Sequence, residues 1–144
     1  MAEKGNNAYK YRAPRVPLDE TTDRIMRFYD AKHPTTPLYT ESLDLSSSGL
    51  TFLVDSEKAP RLDQILIVEF KIPGNEQIRW FCRVARLEYA AANSPWTSSM
   101  QKMKVAVEFR QLPQALKRKI HVAVMTEIQR HFTQEMAAAP SKLK

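Results

Sequence analysis

The residues best suited to chemistry form two short groups rather than a catalytic constellation. Three cations lie in the basic segment KYRAPRVP, which spans residues 10–17: Lys10, Arg12 and Arg15. The segment DLSSSG follows the pattern D-x-S-x-x-G with three notable residues: Asp44, Ser46 and Gly49. Arginine forks bind phosphate oxygens in pairs, and carboxylate and hydroxyl oxygens accept hydrogen bonds from N–H groups. The first group suits a small anionic ligand or an acidic partner surface, whereas the second alone is also typical of an ordinary Asx-type turn.

Other side chains that often perform chemistry lack the spacing that such chemistry needs. His33, His121 and His131 do not follow a metal-ligand pattern, and the single Cys82 offers no second sulfur ligand. Cys82 shares the alternation of apolar neighbours, which indicates a core thiol. The serines lack a G-x-S-x-G setting, and the chain has only 3 glycines and no phosphate-binding glycine loop. We therefore expect no enzyme activity, no metal site and no cofactor.

Charge is distributed unevenly along the 144 residues. The net charge of +6 divides into +3 for residues 1–15, −1 for 16–112 and +4 for 113–144. A nearly neutral body with basic ends argues against a nucleic-acid partner, because such binders usually carry an extended basic surface. The start of the chain has no apolar signal segment, and no apolar run approaches the ~18 residues of a membrane span. We expect a cytoplasmic protein.

Two hydrophobic periods predict the elements that must hold these groups. Apolar residues alternate with period two, the strand signature, in four segments: 49–55, 64–72, 76–89 and 102–110. A further strand is plausible at 24–30, PGN at 73–75 predicts a turn, and a change of phase near Ala85–Arg86 predicts a bulge. These segments predict five or six antiparallel strands, which are best closed as a barrel so that no edge is exposed.

After Pro113 the apolar period changes to four, which predicts one helix. The stripe comprises five residues: Leu116, Ile120, Val124, Ile128 and Phe132. Glu127 interrupts a strict heptad and argues against a coiled coil. The predicted organisation is a flexible tail at 1–9, a barrel with its basic arm at 10–112, a helix at 113–137 and a tail at 138–144.

The succession of motifs resembles the PilZ domain, a bacterial receptor for cyclic di-GMP. The resemblance covers roughly residues 10–130 and depends mainly on DLSSSG and on the step VAVEFRQLP into the helix, with RVPL and WFCRVARLEY in support. It implies a mainly β fold, a six-stranded antiparallel barrel with a C-terminal α-helix. It also implies a ligand site between an R-x-x-x-R arm and the D-x-S-x-x-G loop.

The family's site residues carry over onto this chain with two departures. Asp44, Ser46 and Gly49 match the loop, and Arg15 matches the second arginine of the arm. Tyr11 stands where the family has the first arginine, although Lys10 and Arg12 flank it. Ala106 stands where many members have glycine. Lys10, Arg12, Arg15, Asp44, Ser46 and Gly49 are thus the expected ligand-binding residues.

Two hypotheses about function follow from the resemblance. In the first, the chain is a cyclic di-GMP receptor or adaptor, and closure of a mobile arm on the ligand switches an interaction with an unidentified protein partner. In the second, the loss of the first arginine leaves a degenerate PilZ domain that does not bind cyclic di-GMP and acts as a protein–protein interaction module. The long C-terminal helix leaves a homodimer open in both cases.

Overall fold

The computed structural model of the chain describes residues 13–18, 24–90 and 101–142. Within these residues it contains seven strands, a short 3₁₀ turn at Ser56–Lys58 and a long helix. The bounds are β1 Arg15–Pro17, β2 Ile25–Asp30, β3 His33–Ser46, β4 Gly49–Asp55, β5 Ile65–Lys71, β6 Gln77–Tyr89, β7 Lys102–Phe109 and α1 Gln114–Lys142.

The strands form a closed antiparallel barrel with six strand positions around its axis. Neighbouring strands follow the order β1-β3-β2-β5-β6-β7-β4, and a further pairing of β3 with β4 closes the sheet. Asp44 and Leu45 of β3 pair with β1 on one side and with β4 on the other. Strand β2 pairs with the earlier part of β3 and β1 with its end. The two short strands therefore occupy one of the six positions around the barrel. The predicted six-stranded barrel with a C-terminal helix is confirmed.

Period-two alternation positions the core as the sequence predicts. The fully buried side chains inside the barrel include Leu50, Phe52, Leu66, Val68, Cys82, Val84 and Val105. A change of register between Val84 and Arg86 confirms the bulge. At the predicted turn, the Asn75 amide donates to the Ile72 carbonyl at 2.8 Å and Gly74 adopts a φ of +72°, which a residue without Cβ tolerates.

Strand β3 is the element that the sequence pattern did not locate. It runs for 14 residues through Pro34 and Pro37, and its first residues are exposed. Proline lacks an N–H and disfavours a central strand. In this part of β3, His33 and Leu38 pair with residues of β2, whereas β4 pairs with β3 only from Ser42 onward. The prolines therefore lie in a stretch of β3 that β4 does not pair with. The missing proline N–H groups are tolerated along that edge.

The basic arm, which the first hypothesis treats as mobile, is part of the sheet from Arg15 onward. Val16 is 1% exposed and Leu18 is 6% exposed, and both lie in the barrel core. The Leu18 amide also donates to the Leu43 carbonyl at 2.8 Å. Burial of these two apolar side chains holds the end of the arm on β3, and the two flanking prolines hide this alternation in the sequence.

Helix α1 packs on the barrel through its first half. Ile120, Ala123 and Val124 are buried, and Leu116 and Ile128 pack against the core as predicted. The spacing also predicts Phe132 on this stripe, but this prediction is wrong because the side chain is 60% exposed. The helix also continues to Lys142 rather than 137, and the alanines at 137–139 favour helix more than any other residue. No helix among the described residues is long and apolar enough to cross a membrane.

Candidate ligand-binding cleft

The two groups singled out in the sequence meet in the structure. Strand β1 pairs antiparallel with the end of β3, so that Arg15 lies opposite Ser46 and Pro17 opposite Asp44. The Arg15 guanidinium donates a hydrogen bond to a carboxylate oxygen of Asp44. Both side chains remain accessible, at 41% for Arg15 and 18% for Asp44. The predicted juxtaposition of arm and loop is therefore present before any ligand contact is considered.

This ion pair lies beside an open cleft with a volume of about 1130 Å³. The arm and the loop form one wall, strands β6 and β7 form the floor, and α1 forms the far wall. Its lining residues are Ala13, Pro14, Arg15, Ser47, Ser48, Ala85, Arg86, Ala106, Val107, Glu108, Lys117 and His121. Alanine side chains at 13, 85 and 106 occupy little volume, which keeps this surface concave.

One cross-strand row of the barrel connects Asp44 to the floor of the cleft. Asp44 pairs with Thr51, Thr51 with Ala106, and Ala106 with Arg86. Neighbouring strands lie about 4.8 Å apart, so the Cα atoms at the two ends of the row are separated by roughly 14 Å. Directly paired residues project on the same face of a sheet. The row thus has Asp44 at one end and Arg86 at the other. Ala106 and Arg86 line the cleft, whereas Asp44 lies beside it and Thr51 is buried.

The cleft carries more positive than negative charge. Arg15, Arg86 and Lys117 supply three cations from three different elements, against Glu108 as the acidic lining residue. Several of these charges have partners: Glu108 is paired with Arg83 at 2.6 Å, Arg15 with Asp44, and Arg86 Nε lies 3.9 Å from Glu88. Concave surfaces lined by one sign of charge concentrate their field and attract ligands of the opposite sign. The arrangement suits a ligand with more than one negative charge.

Ser46 shapes the loop from inside rather than facing the cleft. Its side chain is fully buried. The hydroxyl oxygen accepts hydrogen bonds from the Ser48 amide at 3.1 Å and the Gly49 amide at 3.3 Å, and it also lies 2.8 Å from the Ser48 hydroxyl. These bonds close the turn between β3 and β4. Ser47 and Ser48 are the loop residues that line the cleft.

Gly49 is required by packing against β7. A Cβ at this position would lie 1.9 Å from the Val107 carbonyl oxygen, far inside any real contact distance. The neighbour that requires glycine at this position is therefore a strand of the barrel. By tying the loop to β7, Gly49 also fixes the loop beside Ala106 and Val107 of the cleft floor.

Three residues of the cleft were not assigned to the site from the sequence. Arg86, Lys117 and His121 are separated from Arg15 by about half of the chain or more. The bulge after Val84 aims Arg86 outward beside Ala106, and the first turns of α1 bring in Lys117 and His121. The cations at 117–119, which are unfavourable near a helix N-terminus, were the available signal. Lys10 and Arg12 lie outside the described residues.

A second polar cluster lies on the outer face of the barrel around Glu69, which is 6% exposed. Its carboxylate accepts hydrogen bonds from Arg27 Nε and the Tyr29 hydroxyl, both at 2.5 Å, and Arg79 Nε lies 3.5 Å away. Burial pushes the pKa of Glu69 upward, but these hydrogen bonds and the charges of Arg27 and Arg79 outweigh burial and hold the pKa below its usual range. An ionised, paired carboxylate of this kind is a poor general acid.

Neither thiol nor metal chemistry finds support in this part of the chain. Cys82 is buried, and burial raises the pKa of its thiol, so the reactive thiolate is disfavoured. Among the described residues there is no group of three or more His, Cys, Asp or Glu side chains that would hold a metal ion.

Comparison with solved structures finds PilZ domains. The PilZ domain with c-di-GMP of YcgR from Escherichia coli matches with a TM-score of 0.70 and 11% identity, over 89% of this chain and 98% of that chain. The K. pneumonia MrkH–c-di-GMP complex matches with a TM-score of 0.67 and 15% identity, over 85% and 54%. The PilZ domain of CeSA from a cellulose-synthesizing bacterium matches with a TM-score of 0.52 and 13% identity, over 79% and 97%.

These matches establish that the chain has the fold of a PilZ domain. They confirm the resemblance drawn from DLSSSG and VAVEFRQLP at the level of the fold. The chain corresponds to one whole domain of YcgR and to about half of MrkH. No family model matches the sequence, and no curated protein matches it.

Proposed function

We propose that the chain is a cyclic di-GMP receptor that binds this ligand in the cleft between β1, the β3–β4 loop and α1. The observation that carries the proposal is the pairing of Arg15 with Asp44 beside a cleft that Arg15, Arg86 and Lys117 line from three different elements. Two solved structures with the same fold have c-di-GMP in their names. The geometry and the fold point to the same class of ligand.

The ligand's chemistry matches the residues on each side of the cleft. Cyclic di-GMP carries two phosphate charges and two guanines. We expect Arg15 to form paired hydrogen bonds with phosphate oxygens or with guanine O6 and N7. We expect Asp44 to accept from guanine N–H groups, and Ser48 offers an exposed hydroxyl in the same loop. Ser46 and Gly49 act indirectly, because they hold the loop in position.

Arg86 and Lys117 offset the loss of positive charge that follows from Tyr11 standing in place of the family's first arginine. The family's arm has two arginines, whereas this chain supplies one at the matching positions. Two further cations across the same cleft restore positive charge, although Lys117 offers a point charge rather than a planar fork. We expect this site to depend less on the arm, and more on the far wall, than an R-x-x-x-R site would. Lys10 and Arg12 remain proposed ligand contacts.

The proposed output is a change in the surface around the arm. Because Val16 and Leu18 already pack in the core, closure on the ligand involves the residues before Arg15, where Lys10 and Arg12 lie. An anionic ligand favours the closed arm and thereby presents a new surface to a protein partner. The partner and the cytoplasmic location remain predictions.

Calorimetric titration of the full chain with cyclic di-GMP tests the proposal. We expect a dissociation constant in the micromolar range or below, and a rise of roughly 5- to 150-fold in Arg15→Ala for the loss of about 1–3 kcal/mol of contact free energy. Lys102→Ala is the matched control, because Lys102 pairs with Asp55 on the same barrel. The absence of binding by the unmodified chain at about 100 µM ligand would exclude the receptor function. Hydrogen exchange at residues 8–14, with and without ligand, tests closure of the arm.

The second candidate is an interaction module without a ligand. It is favoured by four exposed apolar side chains along α1: Val122, Met125, Phe132 and Met136. This function predicts unchanged hydrogen exchange and no heat of binding in the same titration, while association through α1 persists.

A further inference from the structure

Helix α1 has an apolar face that the barrel does not cover. Val122, Met125, Phe132 and Met136 are 57%, 42%, 60% and 56% exposed. Gln129, also exposed, lies between them, so the five residues follow the spacing 3-4-3-4. We call this set the helix seam. Several large apolar side chains exposed along one helix face are typical of a surface that meets another protein.

The helix seam has the spacing of a two-heptad coiled coil. Its residues occupy successive a and d positions, with Gln129 as one polar a residue. The barrel uses the opposite side of the helix, where Ile120, Ala123 and Val124 are buried. Glu127, which interrupts the heptad of the barrel stripe, is half-buried and lies outside the helix seam. Two independent apolar stripes therefore occupy opposite faces of one helix.

We propose that the helix seam docks against the helix seam of a second copy of this chain, with the two helices antiparallel. Charge selects the orientation. Arg118 is exposed and continues the seam by one d position, whereas Glu135 flanks its other end. A parallel pair would place the two Arg118 side chains in one layer. An antiparallel pair instead places each Arg118 beside Met136 and Glu135 of the second copy, which relieves the repulsion.

Side-chain size supports the same orientation. In an antiparallel pair centred near residue 127, Val122 lies opposite Phe132 of the second copy, and Met125 lies opposite Gln129. The smallest apolar residue of the seam then meets the largest, which fills each layer evenly. This register is the isologous arrangement of a two-fold dimer, in which every contact occurs twice.

The extent of the seam indicates a reversible dimer. From Arg118 to Met136 the helix rises by about 27 Å. A single helix pair of this length covers less than the roughly 800 Å² per partner of a standard interface. We therefore expect a dissociation constant on the order of 10 µM. Ligand binding in the cleft is not required for this association.

Sedimentation velocity of the full chain from about 1 to 500 µM tests the proposal. We expect a monomer–dimer equilibrium that Phe132→Glu weakens at least tenfold and that Gln134→Glu, with the same charge change outside the seam, leaves unchanged. Gln129→Leu replaces the polar residue of the seam and is expected to strengthen the dimer at least tenfold. A chain that stays monomeric throughout would overturn the proposal and leave the face to a different partner. A dimer insensitive to Phe132→Glu would overturn the assignment of the surface.

Cross-linking tests the orientation. Cys82 is buried, so an introduced surface cysteine is the thiol available for oxidation. An equimolar mixture of Val122→Cys and Phe132→Cys chains should form a disulfide-linked heterodimer. Phe132→Cys alone should not, because its two thiols would lie about 15 Å apart along the antiparallel pair, beyond disulfide reach. Efficient self-linking of Phe132→Cys would overturn the antiparallel arrangement.

Discussion

Removal of the Arg15–Asp44 ion pair should affect ligand binding far more than stability. The side chains are 41% and 18% exposed. Accessible ion pairs of this kind contribute about 0.2–1 kcal/mol to the free energy of unfolding. We therefore expect Arg15→Ala, Asp44→Ala and the double variant each to lose about 1 kcal/mol or less. Urea-induced unfolding measures this change.

The same variants should have large effects on the affinity for cyclic di-GMP. A bidentate arginine contact with guanine contributes about 1–3 kcal/mol, which corresponds to a roughly 5- to 150-fold change in dissociation constant. Arg15→Ala also leaves the Asp44 carboxylate unpaired beside an anionic ligand. Part of its loss is thus repulsion, which the double variant removes. We expect the double variant to lose less binding free energy than the sum of the two single variants.

The Asp55–Lys102 pair provides a matched control. Its nitrogen and oxygen lie 2.6 Å apart, and its side chains are 20% and 54% exposed, close to the values for Asp44 and Arg15. Alanine variants of both pairs should change the free energy of unfolding similarly, whereas the cleft pair alone should change calorimetric affinity. Equal effects of the two pairs on binding, or a change of less than threefold in Arg15→Ala while the unmodified chain binds, would contradict the assignment of Arg15 to the ligand site.

Two further predictions concern the barrel that supports the cleft. Glu69→Gln should lower the free energy of unfolding at pH 7 by about 1.5–3 kcal/mol, because it removes charged hydrogen bonds to Arg27 and Tyr29. Since the pKa of Glu69 is lowered in the folded state, this contribution is complete above the ordinary carboxyl value of about 4.3 and is lost as the pH falls below it. The difference from the unmodified chain should therefore shrink between about pH 5 and pH 3 in denaturant unfolding, and a constant difference would contradict the assignment. Gly49→Ala should cost about 3 kcal/mol or more, because its Cβ meets the Val107 carbonyl, and a loss under about 0.5 kcal/mol would contradict the packing argument.

The parts of the fold that the sequence predicts are those in which one face of an element is buried. Leu50, Phe52 and Val54 alternate because a single side of β4 faces the core. Strand β3 lacks this alternation because its first residues are exposed and include Pro34 and Pro37. Alternation is visible in a sequence only where burial imposes it, so an exposed strand leaves little trace.

The residues of the candidate site also divide into those that the sequence predicts and those that it does not. The juxtaposition of Arg15 with Asp44 was predicted because the resemblance placed both in one site, and the pairing of β1 with β3 confirms it. Arg86 and Lys117 were not assigned with them, because closure of the barrel and docking of α1 bring them near. No local pattern specifies such an encounter.

Helix α1 connects the two proposals while allowing them to fail separately. Lys117 faces the cleft, Ile120 and Val124 fix the helix on the barrel, and Phe132 lies in the helix seam. Because the buried residues hold the helix, ligand contacts with Lys117 need not rotate the seam. Loss of dimerisation in Phe132→Glu should therefore leave ligand affinity unchanged at concentrations where the chain is monomeric. If the variant did change affinity there, the seam and the cleft would be coupled through the helix, and by thermodynamic reciprocity the ligand would shift the dimer equilibrium to the same extent.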